Sequence, residues 1–268
     1  MSRTAESVSL PGRVLAHVVN RLRASEVILD PYPHYYLENV FPADYYQALL
    51  NHLPAGAVYQ NLYEVTDLKL DHFRHRDQRD LNEGWTATLP DELKSFWDDF
   101  DRWFLGPDLA SAVLDSFVEP LRARFGAKGS WPQVSVESQL IRHRAGYFLG
   151  PHSDLYTKLV VMLLYLAPDS SAEHLGTSLY RPQDPQFRCP DSTHYPFADF
   201  VKVKTAPYRP NSLLAFFRSD VSFHGLEPLS DQDVTNSGRD VIQYTLHDKQ
   251  ARAVQIRARR SASEEATA

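Results

Sequence analysis

Pro151-His152-Ser153-Asp154-Leu155-Tyr156-Thr157-Lys158-Leu159-Val160-Val161-Met162-Leu163-Leu164-Tyr165-Leu166 places two metal-binding side-chain types directly before an apolar run. After Lys158 every residue to Leu166 is apolar, aromatic or β-branched, which predicts a strand over Lys158 to Leu166. His152 and Asp154 lie two residues apart, and on an extended chain both project from one face, where they can grip one ion. Val134 to Leu140, Val201 to Thr205, Ser212 to Phe217 and Asp240 to Leu246 also read as strands. Loops rich in Pro, Gly, Asp and Ser separate them. Short strands punctuated in this way predict a sandwich or jelly roll rather than parallel βαβ units.

The chain before Trp131 has a different period. Leu10, Val14, Val18 and Leu22 recur at helical spacing within residues 8 to 24, which predicts a helix with one apolar stripe. Val27 to Leu37 is strand-like but broken by Pro31 and Pro33, and Pro42, Ala43 and Asp44 open a helix through Leu53. Between Asp91 and Phe125, Leu93, Phe96, Phe100, Phe104, Leu109, Val113, Phe117 and Leu121 recur mostly three or four residues apart. The expectation is one domain over residues 1–260, helical to about residue 130 and β from about 131 to 250. Residues 261–268 are small, polar and acidic, and read as an unstructured tail.

Composition bounds the function. The 268 residues are 43% hydrophobic and 12% aromatic, enough to bury a sizeable core. A formal net charge of -6 provides no broad cationic surface for a phosphate backbone, so nucleic acid is not an expected partner. The single cysteine, Cys189, cannot form an internal disulfide. Arg13, His17, Arg21 and Arg23 interrupt the apolar residues near the N-terminus, leaving no export core. No run approaches the roughly 18 apolar residues of a spanning helix. These features predict a cytoplasmic protein without a membrane partner; oligomeric state is left open.

A third ligand has to come from a distant strand, and His224 in Ser222-Phe223-His224-Gly225 follows the apolar strand that ends near Phe217. Two histidines and a carboxylate occupy one face of an octahedron and leave three positions open, the arrangement of non-haem iron(II) oxygenases. A His-x-Asp triplet alone is weak, since about one is expected by chance in a chain with 11 histidines. A second one exists: His75-Arg76-Asp77 continues to Asn82 at the spacing of a kinase catalytic loop. No glycine-rich loop, strand lysine or Asp-Phe-Gly accompanies it, so His75 and Asp77 are assigned to a charged surface or loop segment.

Gly146-Tyr147-Phe148-Leu149-Gly150 before the first triad residue, Leu163-Leu164-Tyr165-Leu166, Gly176-Thr177-Ser178-Leu179-Tyr180, Asn211-Ser212-Leu213-Leu214-Ala215-Phe216, His224-Gly225-Leu226 and Arg239-Asp240-Val241-Ile242-Gln243-Tyr244 follow in order. In that order and spacing, residues 133 to 247 resemble the 2-oxoglutarate/Fe(II)-dependent oxygenase superfamily, in its prolyl-4-hydroxylase-like branch. The resemblance implies an α+β, mainly β fold, a double-stranded β-helix (cupin-like jelly roll) under an N-terminal helical layer. It implies iron(II) on His152, Asp154 and His224, with 2-oxoglutarate as cosubstrate, dioxygen, and ascorbate as an accessory reductant. Arg239 stands where such enzymes pair a basic residue with the far carboxylate of 2-oxoglutarate, a task its fork suits. Asp231 to Gly238 reads as an inserted loop before it. Tyr165 matches a family tyrosine that reaches the cosubstrate.

Asn211 reads as either a family position or a turn residue, and Lys158 and Arg142 as either cavity or solvated side chains. Gly176-Thr177 departs from the two glycines of many relatives at that turn. Asp154 favours hydroxylation, because related halogenases replace this carboxylate by a small residue that leaves room for chloride. The implied activity is hydroxylation of an unactivated C-H bond in a small molecule: an amino acid, a sugar or a natural-product intermediate. Two alternatives stand beside it, a peptide or protein hydroxylase of the prolyl type and a non-catalytic cupin-like metal or sugar binder.

Overall fold

The computed structural model describes residues 10–189, 191–234 and 238–267, with side chains from residue 11 as far as residue 258. Residues 8 and 9 of the expected first helix, residues 235–237 of the expected inserted loop and Ala268 of the expected tail lie outside the described residues.

The first part of the chain builds α1 (Leu10–Arg23), β1 (His34–Glu38), α2 (Ala43–Asn51), β2 (Gln60–Asn61), α3 (Leu62–Val65), β3 (Arg76–Asp80), α4 (Asp91–Phe104), α5 (Pro107–Ser116) and α6 (Val118–Phe125). The second builds β4 (Val134–His143), β5 (Leu149–His152), β6 (Lys158–Leu166), β7 (Thr177–Pro182), β8 (Phe200–Ala206), β9 (Pro210–Phe217), β10 (His224–Leu226), β11 (Arg239–Asp248) and α7 (Lys249–Thr267). A seven-stranded sheet in the order β1-β9-β6-β11-β4-β3-β2 and a four-stranded sheet in the order β5-β10-β7-β8 are antiparallel throughout. This is the jelly roll under a helical layer that the sequence predicts.

The continuous apolar run of β6 has a direct physical reason: both of its faces are covered. Val160, Met162, Leu164 and Leu166 turn towards the helices, joining Val14 and Val18 of α1 and Trp97, Phe100 and Phe104 of α4. Val161 and Tyr165 turn the other way, into a second core with Leu179, Leu214, Phe216 and Val241 between the sheets. Alternation along β11 follows the same rule, with Ile242, Tyr244 and Leu246 under the helices and Val241 inside. In the interior between the sheets an inward polar residue is withdrawn from solvent yet reachable from the rim.

Asn211, the second residue of β9, has a positive φ of 52°, a conformation that Asn tolerates better than most residues. Its Oδ1 accepts from Phe41 N and its Nδ2 donates to Phe41 O, each at 2.8 Å. It clamps the chain between β1 and α2 onto the large sheet, which is a structural task.

Two segments differ from expectation. Arg76–Asp80 is not a charged surface loop but a strand, β3, paired along β4 in the register Arg76↔His143. Helix α7 runs through Thr267, across the segment read as a tail. Among the described residues no helix is long and apolar enough to cross a membrane.

Candidate metal centre

His152 ends β5 and His224 begins β10, and the two are paired in register in the small sheet. Their rings lie 4.3 Å apart. The approach of the strands depends on Gly225, where a Cβ would meet Leu149 O at 2.5 Å. Asp154 follows β5 outside any strand and is fixed through its backbone. Arg218 Nε donates to Asp154 O at 2.9 Å, and the neighbouring Ser153 hydroxyl donates to Ser219 O at 2.6 Å. One ligand atom from each of His152, Asp154 and His224 falls within 4.8 Å of the others, and all three residues are buried. The three sequence-predicted ligands are thus together.

Hydrogen bonding has already divided their atoms between support and coordination. Nδ1 of His152 donates to Gly150 O and Nδ1 of His224 to Ser222 O, both at 3.0 Å. Each imidazole is thereby oriented with Nε2 as its free lone pair. Burial lowers the pKa of both rings, most strongly that of His152, so both stay neutral and able to ligate. Asp154 Oδ1 accepts from Lys158 Nζ at 2.5 Å. Its Oδ2 is buried without a hydrogen-bond partner, 3.6 Å from His224 Nε2. Burial opposes ionisation of Asp154, but the Lys158 ammonium beside it favours the charged form, and the carboxyl lies below its ordinary range. An unpartnered carboxylate oxygen facing two neutral imidazoles fits a divalent cation of iron(II) type.

The triad opens into a cavity of about 460 Å³ between the sheets. A larger groove of about 790 Å³ beside Leu105, Ala110 and Leu114 contains none of the three ligands. In the smaller cavity Arg239 is 2% exposed and has no ion-pair partner among the described residues. Its Nε donates to Leu175 O at 2.6 Å, one terminal nitrogen donates to His143 Nδ1 at 3.1 Å, and the other to Thr177 Oγ1 at 3.3 Å. Burial lowers the guanidinium's pKa from its ordinary value, against the raising effect of the neighbouring Tyr165, Tyr208 and Tyr147. Tyr165 stands behind it, with the ring centre 5.2 Å from the guanidinium carbon and the hydroxyl accepting from Thr177 N at 3.2 Å.

Lys158 therefore faces the site, through Asp154, whereas Arg142 is taken up by a two-pronged ion pair with Asp240 at 2.7 and 2.9 Å. Four further residues were not singled out from sequence. Tyr147 lines the cavity with a buried hydroxyl that has no partner. His143 stacks on the Tyr147 ring at 4.3 Å, and burial with the two nearby arginines, Arg239 and Arg76, keeps it neutral, able to accept from Arg239. His194 lies edge-on to His152 at 4.8 Å, its pKa pushed down by burial, His72 and His224 to about 4. Arg76 lines the same cavity. Extending β4 by its own alternation, from Glu137 through Gln139 and Ile141 to His143, was the available signal for His143; a loop histidine such as His194 carried none.

No family model matches the chain, and no curated protein matches it. Solved structures do. A prolyl-4-hydroxylase from Pseudomonas putida is similar with 17% identity and a TM-score of 0.45, over 87% of this chain and 98% of that one. HygX from Streptomyces hygroscopicus, solved with nickel and 2-oxoglutarate bound, is similar with 12% identity and a TM-score of 0.40, over 81% and 83%. The non-haem alpha-ketoglutarate-dependent epimerase SnoN from nogalamycin biosynthesis is similar with 15% identity and a TM-score of 0.40, over 87% and 82%.

Proposed function

We propose that this chain is an iron(II)- and 2-oxoglutarate-dependent oxygenase that hydroxylates an unactivated C-H bond of a small molecule. The observation that carries the reading is the pairing, in one cavity, of the His152, Asp154 and His224 cluster with a buried guanidinium that has no ion-pair partner among the described residues. Bound iron with 2-oxoglutarate and dioxygen supplies the oxidising power, 2-oxoglutarate leaving as succinate and carbon dioxide.

The chain's own residues bind and orient. His152, Asp154 and His224 hold the metal through the two Nε2 atoms and Asp154 Oδ2, and Lys158 keeps the carboxylate ionised. Arg239 pairs with the far carboxylate of 2-oxoglutarate, and the Tyr147 hydroxyl beside it is free to donate to the same group. Tyr165 positions Arg239 from behind. The apolar walls from Val161, Leu163 and Val241 exclude water. A cavity of about 460 Å³ that holds cosubstrate as well supports a small molecule over a residue on a folded protein. A structural metal or sugar binder has no use for a buried cation placed to meet a dicarboxylate.

The test is anaerobic loading with iron(II) and 2-oxoglutarate, followed by air and measurement of succinate. The wild type should release succinate and His224→Ala should release none. Arg239→Ala should chiefly raise the 2-oxoglutarate concentration required, by about tenfold or more, for loss of a charge-assisted pair. Normal turnover by His224→Ala would end the assignment.

A further inference from the structure

The same cavity contains a second guanidinium without a counter-charge. Arg76 on β3 is opposite His143 on β4, and His143 is opposite Arg239 on β11. Residues directly opposite in adjacent strands project to the same side, so two arginines flank one neutral imidazole across the inner face of the large sheet. They differ in what they lack. Arg239 has three hydrogen-bond acceptors within the protein. Arg76 has one, Gln139 Oε1, to which a terminal nitrogen donates at 3.2 Å. Its Nε is buried with no partner, and no ion pair to it exists among the described residues.

Arginines nearby show that carboxylates are not scarce here. Arg74 is paired with Asp71, Arg144 with Asp77 and Arg142 with Asp240. Gln78, two residues along β3 and on the same face, lines the cavity with a buried Oε1 that also has no partner. Gln139 and Gln243 face each other across β4 and β11 in the same wall. A free guanidinium edge next to an unfilled amide acceptor is complementary to a ligand that carries an anion and a hydrogen-bond donor a few ångströms apart.

We propose that Arg76 binds the carboxylate of the primary substrate, that Gln78 Oε1 accepts from an O-H or N-H on it, and that the substrate class is therefore a small hydroxy- or amino-substituted carboxylic acid. This rests on the oxygenase reading for what happens to the ligand, though not for its binding. It also separates the two arginines by task, Arg239 for the cosubstrate and Arg76 for the molecule to be oxidised.

The test uses the full chain loaded with manganese(II) and 2-oxoglutarate under argon, with 3-hydroxybutyrate as probe and 3-hydroxybutyramide as its uncharged counterpart. Binding is read as paramagnetic broadening of the probe's methyl protons, and 2-oxoglutarate affinity is measured separately. Saturable binding of the acid, about tenfold or more weaker in Arg76→Gln, partly restored in Arg76→Lys and absent for the amide, is the expected result. The affinity for 2-oxoglutarate should be unchanged in both variants, which also shows them to be folded. Undiminished acid binding by Arg76→Gln, equal binding of the amide, or no acid binding by the loaded wild type would overturn the proposal. A wild type that takes no 2-oxoglutarate but still binds the acid through Arg76 would remove the oxygenase reading and leave this site standing.

Discussion

Single side chains in this protein are most informative where burial and ionisation conflict. Asp101 on α4 is an instance outside the candidate metal centre. Burial raises its pKa to about 6, against the lowering effect of the hydrogen bond from Trp85 Nε1, and its Oδ1 is buried without a partner. The folded-state pKa exceeds the unfolded value, so the contribution of Asp101 to stability is fully present below about pH 4 and is lost as pH rises through about 6. Asp101→Asn removes the charge and keeps an acceptor for Trp85. Melting temperature followed from pH 4 to pH 8 should show the variant level with wild type at the acid end and above it at the alkaline end; a difference independent of pH would refute the account. At this scale sequence reading succeeds when a residue type is rare in its setting. His152, Asp154 and His224, which the structure brings together, stood out from a chance triplet only through the resemblance of the segments around them, and Arg239 was singled out by that resemblance alone. Arg76 was passed over because its triplet looked like surface, and only pairing with β4 turns it inward.

At the level of elements, the short strands were the ones missed. β6 matched its expected bounds because eight successive apolar residues after Lys158 leave little choice, whereas β5, β7 and β10 span four, six and three residues and lack any long run. They are strands because glycines let neighbouring backbones approach. A Cβ at Gly176 would come 1.8 Å from Ala206 O, and one at Gly225 2.5 Å from Leu149 O. The Gly225 contact sets the distance between the strands that carry His224 and His152. Gly225→Ala should force β10 away from β5 and weaken manganese(II) affinity about ten- to hundredfold, the range seen when groups that support metal ligands are disturbed. Titration with the metal checks this, and an affinity equal to wild type would show that the strand pair yields without moving the ligands. Asn211 shows the limit from the other side: its residue type allowed a turn, but its clamp on Phe41 joins positions too distant in sequence for local pattern to reveal.

Across the whole molecule, folding gathers groups that repel or lack partners, and a ligand that relieves them should stabilise the fold. Manganese(II) at a hundred times its dissociation constant is expected to raise the unfolding free energy by about 2.7 kcal/mol, provided the unfolded chain does not bind it. Chemical denaturation with and without the metal measures this gain, a chelator should reverse it, and His152→Ala should show none of it. A gain that survives in His152→Ala would place the metal elsewhere. The two sheets also divide the labour of the cavity. His152, Asp154 and His224 belong to the small sheet or its adjoining loop, while Arg76, Gln78, Gln139, Gln243 and Arg239 all belong to the large one. On the proposed reading, the layer that holds the metal and the layer that recognises the substrate are separate and can change independently. Mutational drift over the inner faces of β3 and β4 would then exchange one oxidisable compound for another while the ligand set stays intact, so a library randomised at Gln78 and Gln139 is where new specificities should be sought.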